Sequence, residues 1–170
     1  MSNAILYRMS SGIPGTLSRT GLAVAVETAI LLTGSAPAAY GLPVAVDATT
    51  GHVRAIAGGD TAASVYGVLV RPFPTQGGDG VNTAIGTSAP PTSGAVDVLK
   101  LGYISVYVSR GTPAKAGAVY VRTVANASYP NSPVGGFEAS ADGTNSFALT
   151  NAYFTGAADA NGNSEIAFNI

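Results

Sequence analysis

The feature that most constrains the fold is the regular interruption of apolar runs by turn-forming residues. The chain of 170 residues contains 22 glycines and 10 prolines, spread along its whole length. No segment of ten or more residues between them shows the 3.6-residue apolar period of an amphipathic helix. The apolar runs are short and several alternate with period 2, which is typical of strands with one buried face. We therefore predict an all-β, single-domain protein, either a jelly-roll-like β-sandwich or a small β-barrel, with an extended N-terminal arm.

Short alternating runs predict a series of strands. Within residues 22–32 the side chains of Leu22, Val24 and Val26 share one face, which favours a strand, although Ala, Glu and Leu also suit a helix. Residues 95–111 predict two strands, or one strand that bends at Gly102. The other predicted strands are residues 42–46 and 52–57 (as a hairpin), 64–73, 117–124, 134–140, 145–157 and 164–170.

The N-terminal segment and one internal segment do not follow this pattern. "SSGIPG" breaks any strand that begins in "AILYRM", because Pro14 fixes its own φ and biases the residue before it. We predict an extended arm over residues 1–21 and a β-rich domain over residues 22–170. Residues 75–93 predict a long polar loop, and loops of that length are usually functional or mobile.

The charge pattern argues against several classes of partner. Only 10% of the residues are charged, the net charge is −1, and no run of Lys or Arg occurs. Nucleic-acid binding proteins usually carry such a basic footprint, so we expect no nucleic-acid partner. The apolar stretch at residues 21–34 contains Glu27 and is too short to cross a bilayer as a helix, so we expect no membrane partner.

Catalytic and metal-binding motifs are sparse. The chain has no Cys, and His52 is its only His, which we interpret as an exposed strand residue. "DANGNSE" (159–165) imitates part of a calcium loop, but its twelfth position would be Ile170, and Asn161-Gly162 is a strong hairpin-turn signal. "QGGDG" (76–80) lacks the Lys-Ser/Thr of a phosphate loop. We predict no enzyme activity, no cofactor and no metal.

Six segments together carry a resemblance to a known family. The chain resembles the structural cement proteins, or head decoration proteins, of tailed bacteriophages in "NAILYRMSSGIPGTLSR" (3–19), "AYGLPV" (39–44), "VYGVLVRPFPTQ" (65–76), "GTSAPPTSGAVDVLKLGYISV" (86–106), "AGAVYVR" (116–122) and "ADANGNSEIAFNI" (158–170). The resemblance implies a β-rich, non-enzymatic protein that is made in the host cytoplasm and binds the outer surface of the icosahedral head. It would bridge major capsid proteins and stabilise the shell. It would also contact itself, with a homotrimer preferred over a homodimer.

Two segments are the candidate contacts with the capsid or with a neighbouring copy. Extended arms bind through main-chain hydrogen bonds and a few apolar anchors, and arginines can pair with carboxylates of the shell. The candidate residues are Ile5, Leu6, Tyr7, Arg8, Ile13, Pro14, Leu17 and Arg19 in the arm, and Pro72, Phe73, Pro90 and Pro91 at the loop. For the loop, plain solvent exposure is an equal alternative. The alternative function is a β-sandwich recognition module of a tail or receptor-binding protein that binds a glycan, and a third reading is an enzyme of unfamiliar type.

Overall fold

The computed structural model describes residues 12–19, 21, 23–72 and 89–170. Within these ranges the chain forms nine strands and two short 3₁₀ turns, at Ala62–Ser64 and Gly143–Asn145. The strands are β1 Ala25–Leu31, β2 Pro43–Val46, β3 Val53–Ala55, β4 Val65–Leu69, β5 Gly94–Arg110, β6 Gly117–Arg122, β7 Phe137–Glu138, β8 Ser146–Phe154 and β9 Asn163–Phe168. The prediction of an all-β fold is confirmed.

Most of the predicted strands are present, and the ambiguous ones are resolved. Residues 25–31 form a strand and not a helix, and β2 and β3 pair as the predicted antiparallel hairpin. β5 is one continuous strand of 17 residues. The main difference is β7, which has two residues where seven were predicted. Its first part is a turn instead, because the Gly136 amide donates back to the Pro133 carbonyl at 2.9 Å.

The strand pairings close two rings that share β5. The first ring runs β1-β3-β2-β4-β5 and returns to β1, and the second runs β5-β7-β6-β8-β9 and returns to β5. Both are therefore small five-stranded barrels, which corresponds to the barrel form of the prediction. β5 passes from one barrel to the other at Gly102, whose φ of +142° is a conformation that residues with a side chain rarely adopt.

The apolar cores explain why the two barrels form one domain. The first barrel encloses Leu31, Tyr40, Val44, Val53, Leu69, Val96 and Val98. A larger cluster fills the second barrel and extends under the first, joining Val68 and Leu99 to Ile104, Phe137 and Phe168. Full burial of each such side chain contributes about 1.5–3 kcal/mol, so this shared cluster holds the barrels together. In the part of the chain that the structure describes, no helix is long and apolar enough to cross a membrane.

Candidate functional site

The candidate site is built around a strap, residues 12–19, that crosses the junction of the two barrels. The Gly15 amide donates to the Ser105 carbonyl at 2.8 Å, and the Ser105 amide donates to the Thr16 carbonyl at 2.9 Å, so the strap pairs with β5 in the second barrel. On its other side the Gly15 carbonyl accepts from the Arg71 amide at 2.8 Å, just beyond β4 of the first barrel. The strap is thus fixed to both barrels by backbone hydrogen bonds.

Two glycines allow the strap to lie this close. Gly15 and Gly41 have φ of +89° and +77°, and they face each other without side chains. A Cβ on Gly41 would lie 2.6 Å from the Gly15 nitrogen, and a Cβ on Gly15 would lie 2.7 Å from Cβ of Tyr40. Pro14 adds a further contact, because its carbonyl accepts from Nε of Arg71 at 3.0 Å. The "GIPG" sequence that breaks secondary structure is therefore what permits the close crossing.

The C-terminal end of the strap is held by an ion pair. Arg19 donates to both carboxylate oxygens of Glu165, from Nε at 3.2 Å and from Nη2 at 2.6 Å, and its guanidinium stacks 4.0 Å from the centre of the Tyr103 ring. Burial raises the pKa of Glu165, but hydrogen bonds from Arg19, Ser18 and Thr155 outweigh it and leave that pKa below its ordinary value. The carboxylate is thus kept charged opposite Arg19.

A second charged group is buried on the face of β6 and β7 opposite the apolar core, away from the strap. Arg122 and Glu138 are both fully buried, and Nε of Arg122 donates to Oε1 of Glu138 at 2.6 Å. Nη1 of Arg122 lies 2.8 Å from Oδ2 of Asp142, and Arg110 lies 3.7 Å from the other oxygen of Glu138. A hydrogen bond from Asn126, followed by the one from Arg122, lowers the pKa of Asp142. This network ties the connection after β6 to β7, and we assign it a structural role.

Comparison with known proteins identifies the family. The family model of the XM1 gp53 minor capsid protein matches residues 1–168. The chain belongs to this family. The described fold is similar to a chain in the solved structure "The capsid of Myoviridae Phage XM1", with a TM-score of 0.68, 20% sequence identity, and coverage of 99% of this chain and 97% of that chain. At this identity the likeness shows the fold alone. No curated protein sequence gives a significant match.

Membership of a minor capsid protein family confirms the resemblance to capsid-associated phage proteins. It places the protein in a virion structural family and indicates a structural role. The described residues contain no group of three or more His, Asp or Glu side chains that could hold a metal ion. Asp159 instead stabilises the predicted turn, since its Oδ1 accepts from the amides of Asn161 and Asn163, both at 2.9 Å. His52 is half-buried and precedes β3, so its prediction as an exposed strand residue is wrong: it lines a groove between β1 and β3.

The predicted contact residues of the minor capsid protein fall into three groups. Those that lie outside the described residues are Ile5, Leu6, Tyr7, Arg8 and Phe73. In the strap, Ile13, Pro14 and Leu17 are half-buried against the barrels and Arg19 is exposed. At the loop, Pro72 and Pro91 are exposed and Pro90 is buried. Their role in binding stays a prediction, as does the boundary at residue 21.

The structure brings the strap and the two loop ends together around one tyrosine. Pro72 and Pro91 line a cavity of about 270 Å³ with Tyr40. Tyr40 also lines a second, largely apolar cavity of about 280 Å³ with Pro14 and Ala89. Sequence reasoning selected the prolines but missed Tyr40. No local signal marks this residue, because its importance comes from contacts with segments distant in sequence.

Proposed function

We propose that the protein is a non-enzymatic cement protein that binds the outer surface of the phage head and bridges major capsid proteins, thereby stabilising the shell. Membership of the minor capsid family supports a location in the virion. The observation that carries the proposal is the strap. It gives the N-terminal segment a fixed origin at Gly12, pinned to both barrels, and a fixed origin lowers the entropy lost when residues 1–11 bind a partner.

The low charge of the chain fits a binding mode based on main-chain hydrogen bonds and apolar anchors. With 10% charged residues and a net charge of −1, long-range attraction to the shell is weak. Ile5, Leu6 and Tyr7 supply the apolar anchors in this proposal, and Arg8 pairs with a carboxylate of the capsid or of a neighbouring copy. A homo-oligomer, with a trimer preferred, would present several such arms, and linked arms raise avidity by ~10²–10⁴ without new types of contact.

The test is co-sedimentation with empty, expanded capsids of the phage that encodes the protein. We expect the full chain to bind saturably, at a fixed ratio to the major capsid protein. A chain without residues 1–11 should keep its thermal stability and bind at least ~100-fold more weakly, because it loses its arms. The truncation must stop before the strap, since removing residues 12–19 would leave backbone groups of Ser105 and Arg71 without their partners.

Each result separates the parts of the proposal. If the folded full chain does not bind, the cement function is refuted, and a glycan screen for the recognition-module alternative follows. If the chain without residues 1–11 binds as tightly as the full chain, the arm is not the contact. In that case the matched pair Pro72→Ala and Pro91→Ala tests the loop ends in the same assay.

A further inference from the structure

One edge of β1 has no strand partner from Ala25 to Ile30 among the described residues. It pairs with β5 from Ala25 to Leu31, but with β3 only at Leu31. The Leu32 amide donates to the Val53 carbonyl at 2.8 Å, so the backbone groups of Leu32 face β3. Because strand residues alternate, the backbone groups of Val26, Thr28 and Ile30 face the same way, towards the edge that lacks a partner.

An independent hydrogen bond supports this assignment. Thr28 lies opposite Asp97 of β5. The Asp97 carbonyl accepts from the Val70 amide at 2.8 Å and therefore faces away from β1. Thr28 and Asp97 thus form a non-hydrogen-bonded pair, and the backbone N–H and C=O of Thr28 are directed away from β5.

The free edge is lined by apolar surface. Val26 and Ile30 on β1 are 41% and 47% exposed, and Val46 on β2 is 36% exposed. Beside the edge lies a groove of about 350 Å³, lined by Ile30, Val46, His52 and Glu27 among others. Natural proteins protect such edges with charged residues, Pro or a bulge; β1 carries no Lys or Pro, its register shift lies at its first residue, and its one charged residue is Glu27. An apolar edge with so little protection is suited to accept a strand.

We propose that the free edge of β1 accepts residues 3–9 of a second copy of this chain as an added strand. This deepens the proposed function, since it names the neighbouring copy as the partner of the arm. About six residues are needed to cover Ala25–Ile30, a length of roughly 20 Å. The segment before Gly12 contains eleven residues, which is enough for that strand and a short connection.

The pattern of residues 3–9 complements the two faces of β1. In an extended strand Ile5, Tyr7 and Met9 share one face, and Leu6 and Arg8 share the other. The first face suits the exposed apolar side chains of β1.

The second face then places Arg8 on the side of Glu27. Glu27 is the one charged residue in β1, and its Oε1 accepts from the Tyr66 hydroxyl at 2.6 Å. A carboxylate can accept further hydrogen bonds, so Arg8 would find an acceptor there. A single orientation of the two faces of the added strand therefore allows both the apolar contacts and the contact between Arg8 and Glu27.

The distance favours a second copy over the same chain. Gly12 lies beside Ser105, whereas the middle of the free edge lies beside Asp97, about 26 Å away along β5 at ~3.3 Å per residue. From Leu6, the middle of the donor segment, to Gly12 the chain spans at most about 20 Å. The strap also runs towards β1 from Gly12, so Gly12 is the end of the strap that is farther from β1.

Site-directed cross-linking tests the proposal cleanly because the chain contains no Cys. Chains with Tyr7→Cys are mixed with size-tagged chains that carry Val26→Cys, Thr28→Cys or Ile30→Cys, both free at high concentration and bound to shells. Residues paired on one face of adjacent strands have the Cα separation that a disulfide needs. We expect a covalent heterodimer with at least one edge position. Leu6→Cys, on the opposite face, is the matched control and should cross-link at least tenfold more slowly.

Other outcomes overturn the proposal. If a chain with both substitutions forms the disulfide within itself when diluted, and mixed chains form none, the arm binds its own β1. If no disulfide forms either in solution or on shells, the edge of β1 does not accept the arm and the proposal is refuted.

A second measurement uses the edge alone. Thr28→Pro removes a backbone N–H that β5 does not use but that an added strand would. It should therefore shift the oligomer towards monomer in sedimentation, whereas Thr28→Val should not. Equal oligomerisation of the two folded variants would contradict the proposal. Cross-linking without shell binding would refute the cement function and leave this site standing. Shell binding without cross-linking would do the reverse.

Discussion

Replacing Gly41 by alanine tests the close crossing of the strap. A Cβ at this position would lie 2.6 Å from the Gly15 nitrogen and 3.1 Å from the carbonyl carbon of Pro14. Both contacts are with backbone, so the strap itself has to move. Placing a residue with a side chain at φ +77° costs roughly 1–2 kcal/mol. Displacing Gly15 weakens its two hydrogen bonds, to Ser105 and from Arg71, at about 1 kcal/mol each.

We therefore expect the free energy of unfolding to fall by about 3–4 kcal/mol in Gly41→Ala. For a domain of this size that lowers Tm by roughly 6–16 °C, which differential scanning calorimetry resolves. Hydrogen exchange of the Ser105 and Arg71 amides should accelerate as well, because both amides bond to the strap.

A second glycine supplies the matched control. Gly34 has φ +80°, close to that of Gly41, but a Cβ there would meet nothing within 4 Å. Gly34→Ala therefore carries the conformational cost alone, about 1–2 kcal/mol. If Gly41→Ala is no more destabilising than Gly34→Ala, and the Ser105 and Arg71 amides exchange at the original rate, the crossing does not depend on the absence of a side chain and our reasoning is refuted.

Two further predictions concern charged groups. Glu138→Leu should lower the free energy of unfolding, measured in urea, by about 3 kcal/mol, because it leaves the buried guanidinium of Arg122 with fewer acceptors. The double substitution Arg122→Met/Glu138→Leu should lower it by less. An equal or larger loss in the double variant would contradict this. Asp60 accepts two hydrogen bonds from Arg54, at 2.7 and 2.8 Å, and these lower its pKa. The stabilising contribution of Asp60 is present above pH about 4 and is lost as the pH falls through its lowered pKa. The difference in Tm between the parent protein and Asp60→Asn should therefore shrink on acidification. A constant difference in Tm from pH about 6 to about 2 would argue against this.

The strands were predictable because their signals are local. Alternation in residues 25–31 and the β-branched runs of β4, β5 and β6 depend only on neighbouring residues, and the structure retains them. The turn predicted at Asn161-Gly162 was also correct, since Asp159 accepts from the amides of Asn161 and Asn163 at the start of β9. The all-β class followed from these two signals together.

Closure and burial were not predictable, since they depend on residues far apart in sequence. The alternation rule would expose either Phe137 or Glu138, yet both are fully buried, because Phe137 lies in the apolar core and the carboxylate of Glu138, on the other face, meets the buried Arg122. Arg19 was selected as a candidate contact from its neighbours in the sequence, but its partner Glu165 lies at the other end of the chain and could not be identified in that way. An interruption or bend at Gly102 was predicted, but nothing local indicated that the two halves of β5 belong to different barrels.

The shared strand explains why the protein needs a strap at all. β5 is the only strand common to both barrels in the described residues, and it changes barrel at Gly102, where the backbone lacks the restriction of a side chain. A single strand with a glycine at the junction resists rotation weakly by itself, and the apolar cluster that the barrels share adds to that resistance. The strap adds hydrogen bonds on both sides of this point, to Arg71 in one barrel and to Ser105 in the other. In the proposed role this matters, because the arm begins beside the second barrel, whereas the loop ends and the free edge of β1 belong to the first. They match a repeating surface at a lower entropic cost if the angle between the barrels is fixed before binding.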